Sequence, residues 1–307
     1  MGGVWIFFIL SGYLAGKSFF SSRYSFDMKG IICYYKAKFI RIVIPVFSFI
    51  FLCCVLIYPC FVKNNPIVIF KWITFSYNGN PGVYGIGATW YVFTLIPLYL
   101  LSPLFSFFAG KLSKNKFFLS FVTILVIFIG FLYRFCAYNF GLNWYSMIYT
   151  PFYANIDLFF SGILICKIID VFNCSKLLSS KLFKDIGLFV FLVFILMNTI
   201  CYDKFFFYAI ICPTLYLLIF GFCLIVFSDE QYTFQFDNWF EKTIDKFSSI
   251  SFEFYLFHSL ILNTILPAFS ENNIYVLHFK ILLWAFILTL IFSYGYNRIF
   301  KGVKCKI

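Results

Sequence analysis

Charged residues are scarce in this sequence of 307 residues, of which only 12% are Asp, Glu, Lys or Arg. Soluble proteins average about 25% charged residues. Hydrophobic residues make up 63% of the chain, aromatic residues make up 25%, and the mean hydropathy is +0.92. Too few polar side chains are present to coat a water-soluble surface, which excludes a sizeable soluble catalytic domain. We expect one membrane domain over residues 1–307.

Signatures of metal binding and nucleic-acid binding are also missing. The 11 cysteines form no CxxC pair and no Cys/His spacing typical of zinc, so we predict no metal site. Most of them lie in apolar runs, where cysteine serves as a small buried hydrophobic residue. The net charge of +12 does not indicate a nucleic-acid partner, because the basic residues are scattered between apolar runs.

Long apolar runs are what the sequence has in abundance. A run of about 18–20 residues crosses the hydrocarbon core as a helix, and lipid forces backbone pairing within the helix. We therefore predict an all-α, polytopic transmembrane bundle. The nine predicted spans are 4–20, 40–60, 89–109, 117–135, 155–172, 184–201, 205–227, 248–269 and 276–299.

Basic residues predict how these spans are oriented. Placing residues 21–38 in the cytoplasm puts 19 of the 24 Lys and Arg on the inner side, including those of the tail 298–307. This asymmetry follows the positive-inside rule. We predict a multi-pass protein of the cytoplasmic membrane with a cytoplasmic C-terminus. Nine spans leave the N-terminus outside, so we expect one further helix to precede the span at 4–20.

One aromatic segment, 142–154, falls on the predicted outer side. Trp and Tyr favour the membrane interface. The segment is interpreted either as a lid over an acceptor site or as an aromatic belt without further function.

Polar residues inside a span are costly, so each one is a functional candidate. Lys38 and Arg41 lie three residues apart, on one face of a helix that enters the membrane from inside. They are interpreted as membrane anchors or as donors to the phosphates of an anionic cytosolic ligand. Asp157 stands at the start of a span, where the helix dipole alone favours an acid.

Glu253 and His258 are the other two candidates, both in the span at 248–269. Five residues advance an α-helix by about 500°, so these side chains do not share a face and a direct dyad is disfavoured. Either could pair with Arg41 or Asp157 on another helix. A hydrogen-bonded structural histidine remains the alternative for His258.

Five short motifs follow one another along the chain. They are a Val-x-Ile-Phe-Phe-x-Leu-Ser-Gly-Tyr run, an Arg-x-x-Arg-Ile-x-x-Pro segment with Lys38 in place of the first Arg, a Trp-Tyr-Val … Tyr-Leu-Leu-x-Pro span, a Phe-x-x-Gly element and a Ser-Phe-x-x-Tyr-Leu-x-His motif, at residues 4–13, 38–45, 90–103, 159–162 and 251–258. In kind and in order, these motifs resemble those of the acyltransferase-3 family of membrane O-acyltransferases. The resemblance covers almost the whole chain.

The resemblance implies transfer of an acyl group, commonly acetyl, from acyl-CoA to a hydroxyl of a cell-surface glycan, a lipid-linked sugar or another envelope sugar. It implies no tightly bound cofactor, and it places Lys38 and Arg41 at the CoA phosphates. The family usually has ten spans, and its key His lies on the helix before the Phe-Phe-x-Leu-Ser-Gly run. That His is absent from this chain, which leaves Glu253, His258 and Asp157 as candidates for the catalytic base.

Two alternatives from other classes stay open at this point. One is a transporter or flippase for a lipid-linked sugar, although no internal repeat is visible. The other is an inactive acyltransferase remnant that lacks its first helix.

Overall fold

The computed structural model describes residues 3–53, 63–64, 66–74, 89–172, 180–200, 210–228, 238–265 and 284–298. Its regular structure is helical throughout these ranges, which confirms the predicted all-α class. The helices are Gly3–Phe20 (α1), Met28–Lys38 (α2), Ile44–Leu52 (α3), Ile67–Ile73 (α4), Trp90–Leu112 (α5), Lys116–Asn139 (α6), Ile156–Phe172 (α7), Lys181–Ile200 (α8), Cys212–Val226 (α9), Asn238–Ile265 (α10) and 284–298 (α11).

Most predicted spans coincide with these helices, and the differences fall in polar sequence. Residues 238–247 were predicted as part of an inner loop but form the first turns of α10. Residues 28–38 were also placed in a loop and form α2. Hydropathy indicates only the part of a helix that lies in lipid. The helix can extend beyond that part into water, because its backbone hydrogen bonds do not depend on apolar side chains. Residues 78–82 (Asn-Gly-Asn-Pro-Gly), whose composition predicts a turn, lie outside the described residues.

By length and hydropathy, three helices of the described part are able to cross a membrane. They are α1, α5 and α6. Helix α9 is equally apolar but has only 15 residues. The predicted orientation of the bundle stays a prediction.

Packing divides the chain into two units. Unit 1 comprises Met1–Tyr34 and Thr94–Thr233, and unit 2 comprises Tyr35–Phe93 and Phe234–Ile307.

The closest helix packing in unit 1 joins α1 to α7. A Cβ atom built on Gly12 would overlap the carbonyl oxygen of Phe159, and one built on Gly162 would overlap that of Ile9. One turn further along, a Cβ on Gly16 would lie 3.2 Å from the Cα of Ile163. Small residues that let two backbones touch are the usual basis of helix association in membranes. The pairs Ser11-Gly12 and Ser161-Gly162 therefore lie at the crossing point of α1 and α7.

Aromatic residues fill the rest of this core. The Trp5 ring is 2% exposed and meets Tyr149 edge-on at 5.8 Å and Tyr216 at 5.6 Å between centroids. Phe105 of α5 stacks on Phe160 of α7 at 4.6 Å.

A capped turn connects α1 to α2. The Gly30 N–H donates to the Asp27 carboxylate at 2.9 Å, which satisfies one of the free donors at the start of α2. The Ser25 hydroxyl donates to the same carboxylate. These two bonds, the Ser25 bond foremost, lower the pKa of Asp27 below its ordinary value of 3.8.

In unit 2, α3 packs against α10 and α11. The Phe49 and Phe257 rings meet edge-on at 5.0 Å, and Phe257 also contacts the Tyr296 ring at 5.4 Å. The Tyr296 hydroxyl donates to the carbonyl oxygen of Pro45 at 2.7 Å. Another hydrogen bond joins α11 to α10: the Asn297 amide donates to the Ser249 carbonyl at 2.6 Å.

Candidate functional site

The two predicted phosphate donors lie at a widened turn of the helix. Helix α2 ends at Lys38, a π-helical turn spans Phe39–Val43, and α3 continues from Ile44. In this turn the Ile44 N–H bonds to the carbonyl five residues back, at Phe39. Single π turns inside α-helices occur frequently at functional sites.

Pro45 explains why the helix widens here. In a regular α-helix the ring of Pro45 would collide with the carbonyl of Arg41, four residues earlier, and proline supplies no N–H to that carbonyl. The extra residue in the turn removes this conflict without ending the helix. The spacing between Arg41 and Pro45 therefore predicts a local distortion at the cationic residue.

Arg41 and the apolar residue that follows it, Ile42, differ in exposure. The Arg41 side chain is exposed, while Ile42 is 7% exposed and packs inward. No hydrogen bond or ion pair joins the Arg41 guanidinium to another residue of the described part. Lys38 is half-buried at the end of α2. An exposed guanidinium with five donors suits a phosphate.

Glu253 and His258 both lie on α10, as the sequence predicted. Glu253 is 1% exposed, whereas His258 is half-buried, in agreement with different faces of the helix. The Nδ1 atom of His258 bonds to the Tyr255 carbonyl one turn earlier. Because a carbonyl only accepts, Nδ1 carries the proton, and the neutral ring then presents Nε2 as a proton acceptor.

Aromatic rings surround this histidine on one side. The Tyr255 ring lies 5.3 Å from the His258 ring and 5.3 Å from that of Tyr91. Tyr91 belongs to the Trp-Tyr-Val element and Tyr255 to the Tyr-Leu-x-His element, so unit 2 brings two of the sequence motifs into contact.

Asp157 has a different partner from those the sequence suggested. Its carboxylate forms a bidentate ion pair with Arg134 of α6, with Nη1–Oδ1 at 3.2 Å and Nη2–Oδ2 at 2.5 Å. The two side chains are 2% and 5% exposed. The buried carboxylate is thus neutralised by a cation of its own unit. The suggested pairing with Glu253 or His258, which belong to the other unit, stays a prediction.

Arg134 is the residue that sequence reasoning missed, since it was not among the candidate site residues. Its Nη1 also donates to the Ala154 carbonyl at 3.0 Å. Gly130, one turn earlier on α6, leaves the space for the carboxylate, since a Cβ there would overlap Oδ2 of Asp157. The available signal was the Gly-x-x-x-Arg spacing in a span, where an arginine needs an acidic partner.

The connection between α6 and α7, residues 140–155, folds over this ion pair. The amide of Asn155 donates to the Tyr149 and Pro151 carbonyls at 2.9 and 3.0 Å. The Trp144 ring stacks on the Tyr149 ring at 5.3 Å, and Tyr149 is itself buried. The predicted interfacial segment 142–154 is thus anchored to the bundle by Tyr149, while Phe152 and Tyr153 remain exposed.

Comparison with known proteins identifies a family. A family model described as an acyltransferase domain covers residues 1–298. No curated protein and no solved structure matches the chain.

Proposed function

Because the chain belongs to this acyltransferase family, we propose that it transfers an acyl group, acetyl in the first instance, from acyl-CoA to a hydroxyl of a cell-surface glycan or another envelope sugar. That it is an acyltransferase of the membrane follows from the family and the apolar helices. The donor, the acetyl group and the sugar acceptor belong to the proposal.

The observation that carries the proposal is the exposed Arg41 at the widened turn. CoA carries phosphates, and a guanidinium binds a phosphate through two parallel hydrogen bonds. Lys38 adds a second cation at the beginning of the turn. Both residues fall on the side that the basic residues of the chain assign to the cytoplasm, where acyl-CoA is available.

The reaction needs few groups. The sugar hydroxyl attacks the thioester carbonyl, its C–O bond forms, and the C–S bond breaks. The hydroxyl proton goes to a base, and the leaving thiolate is protonated to give free CoA. A positioned base contributes about 10²–10⁴-fold to such a step, and donors to the developing oxyanion contribute further.

Among the candidates for that base, His258 has the most suitable chemistry. Its Nε2 atom is the acceptor of the neutral ring, and the side chain is half-buried rather than enclosed. Glu253 is enclosed at 1% exposure. Asp157 is held by Arg134, which favours a structural role for this carboxylate.

The test is an acyl-transfer assay on the purified full chain, with radiolabelled acetyl-CoA and an envelope-sugar acceptor. We expect Arg41→Ala to raise the KM for acetyl-CoA at least tenfold, because a charge-assisted bidentate contact contributes about 1.5–3 kcal/mol. Arg298→Ala is the matched control, since Arg298 is another exposed arginine at a predicted inner helix end. Unchanged kinetics in Arg41→Ala would reduce Arg41 to a membrane anchor and remove the support for CoA binding.

A cellular comparison tests the acceptor. Envelope glycans are analysed for O-acetyl content with and without the gene. Loss of acetyl groups supports the proposal, whereas unchanged acetylation with altered glycan export would favour transport.

A further inference from the structure

A groove in unit 1 is not used by the proposed reaction. It has a volume of about 370 Å³ and lies between α1 and α9. This volume falls within the range of about 300–1,000 Å³ typical of small-ligand sites. Its apolar walls are formed by Phe220 and Leu224 of α9 and by Phe227, which directly follows α9. The cationic residue that lines it is Lys17 of α1.

The cation and the apolar walls are arranged along the helix axes. Lys17 lies in the last turn of α1, and Phe227 and Ser228 follow the end of α9. Leu224 and Phe220 lie one and two turns further into the apolar helix, respectively. A ligand that fills the groove therefore meets a positive charge at one end and hydrocarbon along its length.

Neighbouring cations define the level of this end relative to the bilayer. Lys167 of α7 lies 4.7 Å from the centre of the Phe20 ring, and Lys111 of α5 lies 4.5 Å from that of Phe107. Both belong to the segments that the basic residues assign to the cytoplasmic side. Lysines seated on aromatic rings at helix ends are typical of the membrane interface, where the headgroups lie. The charged end of the groove is thus at headgroup level.

We propose that this groove binds one anionic phospholipid of the inner leaflet, with its phosphate at the Lys17 ammonium and the upper part of one acyl chain along Phe220 and Leu224. Basic pockets between membrane helices on the cytoplasmic side bind anionic headgroups in this manner. A zwitterionic lipid offers the same chain but cancels the attraction at Lys17 with its own cation. The site therefore selects headgroup charge rather than chain type, and it is independent of acyl transfer.

The test uses native mass spectrometry of the purified full chain in detergent. Equal amounts of phosphatidylglycerol and phosphatidylcholine with identical acyl chains compete for the protein. Wild type is expected to retain phosphatidylglycerol preferentially. One Lys at the surface changes the affinity for an anionic lipid about fivefold, so Lys17→Gln should remove a preference of that size. Leu224→Trp fills the groove and should remove the bound lipid of either type.

Lys111→Gln is the matched control, because Lys111 is a cation at the same level but outside the groove. It should leave the lipid preference unchanged. The proposal is overturned if wild type shows no preference, if either Lys17→Gln or Leu224→Trp keeps it, or if Lys111→Gln loses it equally. Size-exclusion profiles of the variants establish that each one is folded.

Discussion

The ion pair between Arg134 and Asp157 gives the sharpest stability prediction. Two charge-assisted hydrogen bonds join the side chains, and both groups are almost fully enclosed. Such bonds contribute about 1.5–3 kcal/mol each. Removal of one partner also leaves the other charge buried without a counter-charge. Breaking a buried ion pair in this way typically lowers the free energy of unfolding by about 3–5 kcal/mol.

The interaction energy between Arg134 and Asp157 is measured with three variants: Arg134→Met, Asp157→Leu and the double variant. Each single change should lower the free energy of unfolding by about 3–5 kcal/mol. Arg134→Met should be the more damaging one by about 1 kcal/mol, because it also removes the hydrogen bond to the Ala154 carbonyl. The double variant replaces the pair by apolar side chains, so we expect it to be clearly more stable than the sum of the two single effects.

The measurement is reversible unfolding of the purified protein in mixed micelles, followed by tryptophan fluorescence as the denaturing detergent is raised. The double-mutant cycle isolates the interaction because each single change removes it. The reasoning is refuted if either single variant loses less than about 1 kcal/mol, or if the two losses simply add.

Two further predictions concern the packing and the caps of unit 1. Gly12→Ala should destabilise the protein by about 1–3 kcal/mol in the same assay, because the added Cβ meets the backbone of α7. The control is Gly110→Ala, which has nothing within 4 Å of the added Cβ and should be neutral or stabilising. Equal effects of the two substitutions would contradict the assigned crossing point. Because the pKa of Asp27 is lowered by folding, its contribution to stability is present above its unfolded value and is lost as pH falls through its folded value. Thermal unfolding from pH 7 to pH 3 should therefore show a smaller acid-induced loss in Asp27→Asn, which keeps an N-cap that does not titrate; an identical loss in both proteins would contradict this role.

Much of the architecture was predictable from local sequence. Apolar runs predicted the helices because each helix pairs its own backbone in lipid, whatever its neighbours are. Small residues such as Ser11 and Gly12 permit close approach of two helices for a similarly local reason, but they do not identify the helix that approaches. The spacing from Arg41 to Pro45 similarly indicates a distorted turn, since the conflict lies within five residues of chain.

The partners of the buried polar groups were not predictable. The sequence suggested Glu253 or His258 as a partner of Asp157, yet the residue that binds its carboxylate is Arg134, 23 residues earlier. An ion pair depends on which helix faces lie together, and many pairings satisfy the same sequence. The structure also corrected the polar segments 28–38 and 238–247, where hydropathy gives no information about helix formation in water.

The scarcity of charge alone determined that this chain is an all-α membrane protein, because lipid leaves the backbone few choices. The order of its short motifs indicated the acyltransferase family. Tertiary structure decided how the few polar residues are used: Asp157 is bound by Arg134, and Arg41 remains exposed at a widened turn. The physical reason is that hydrophobic burial is local and additive along a helix, whereas the neutralisation of a buried charge requires one specific neighbour from elsewhere in the chain.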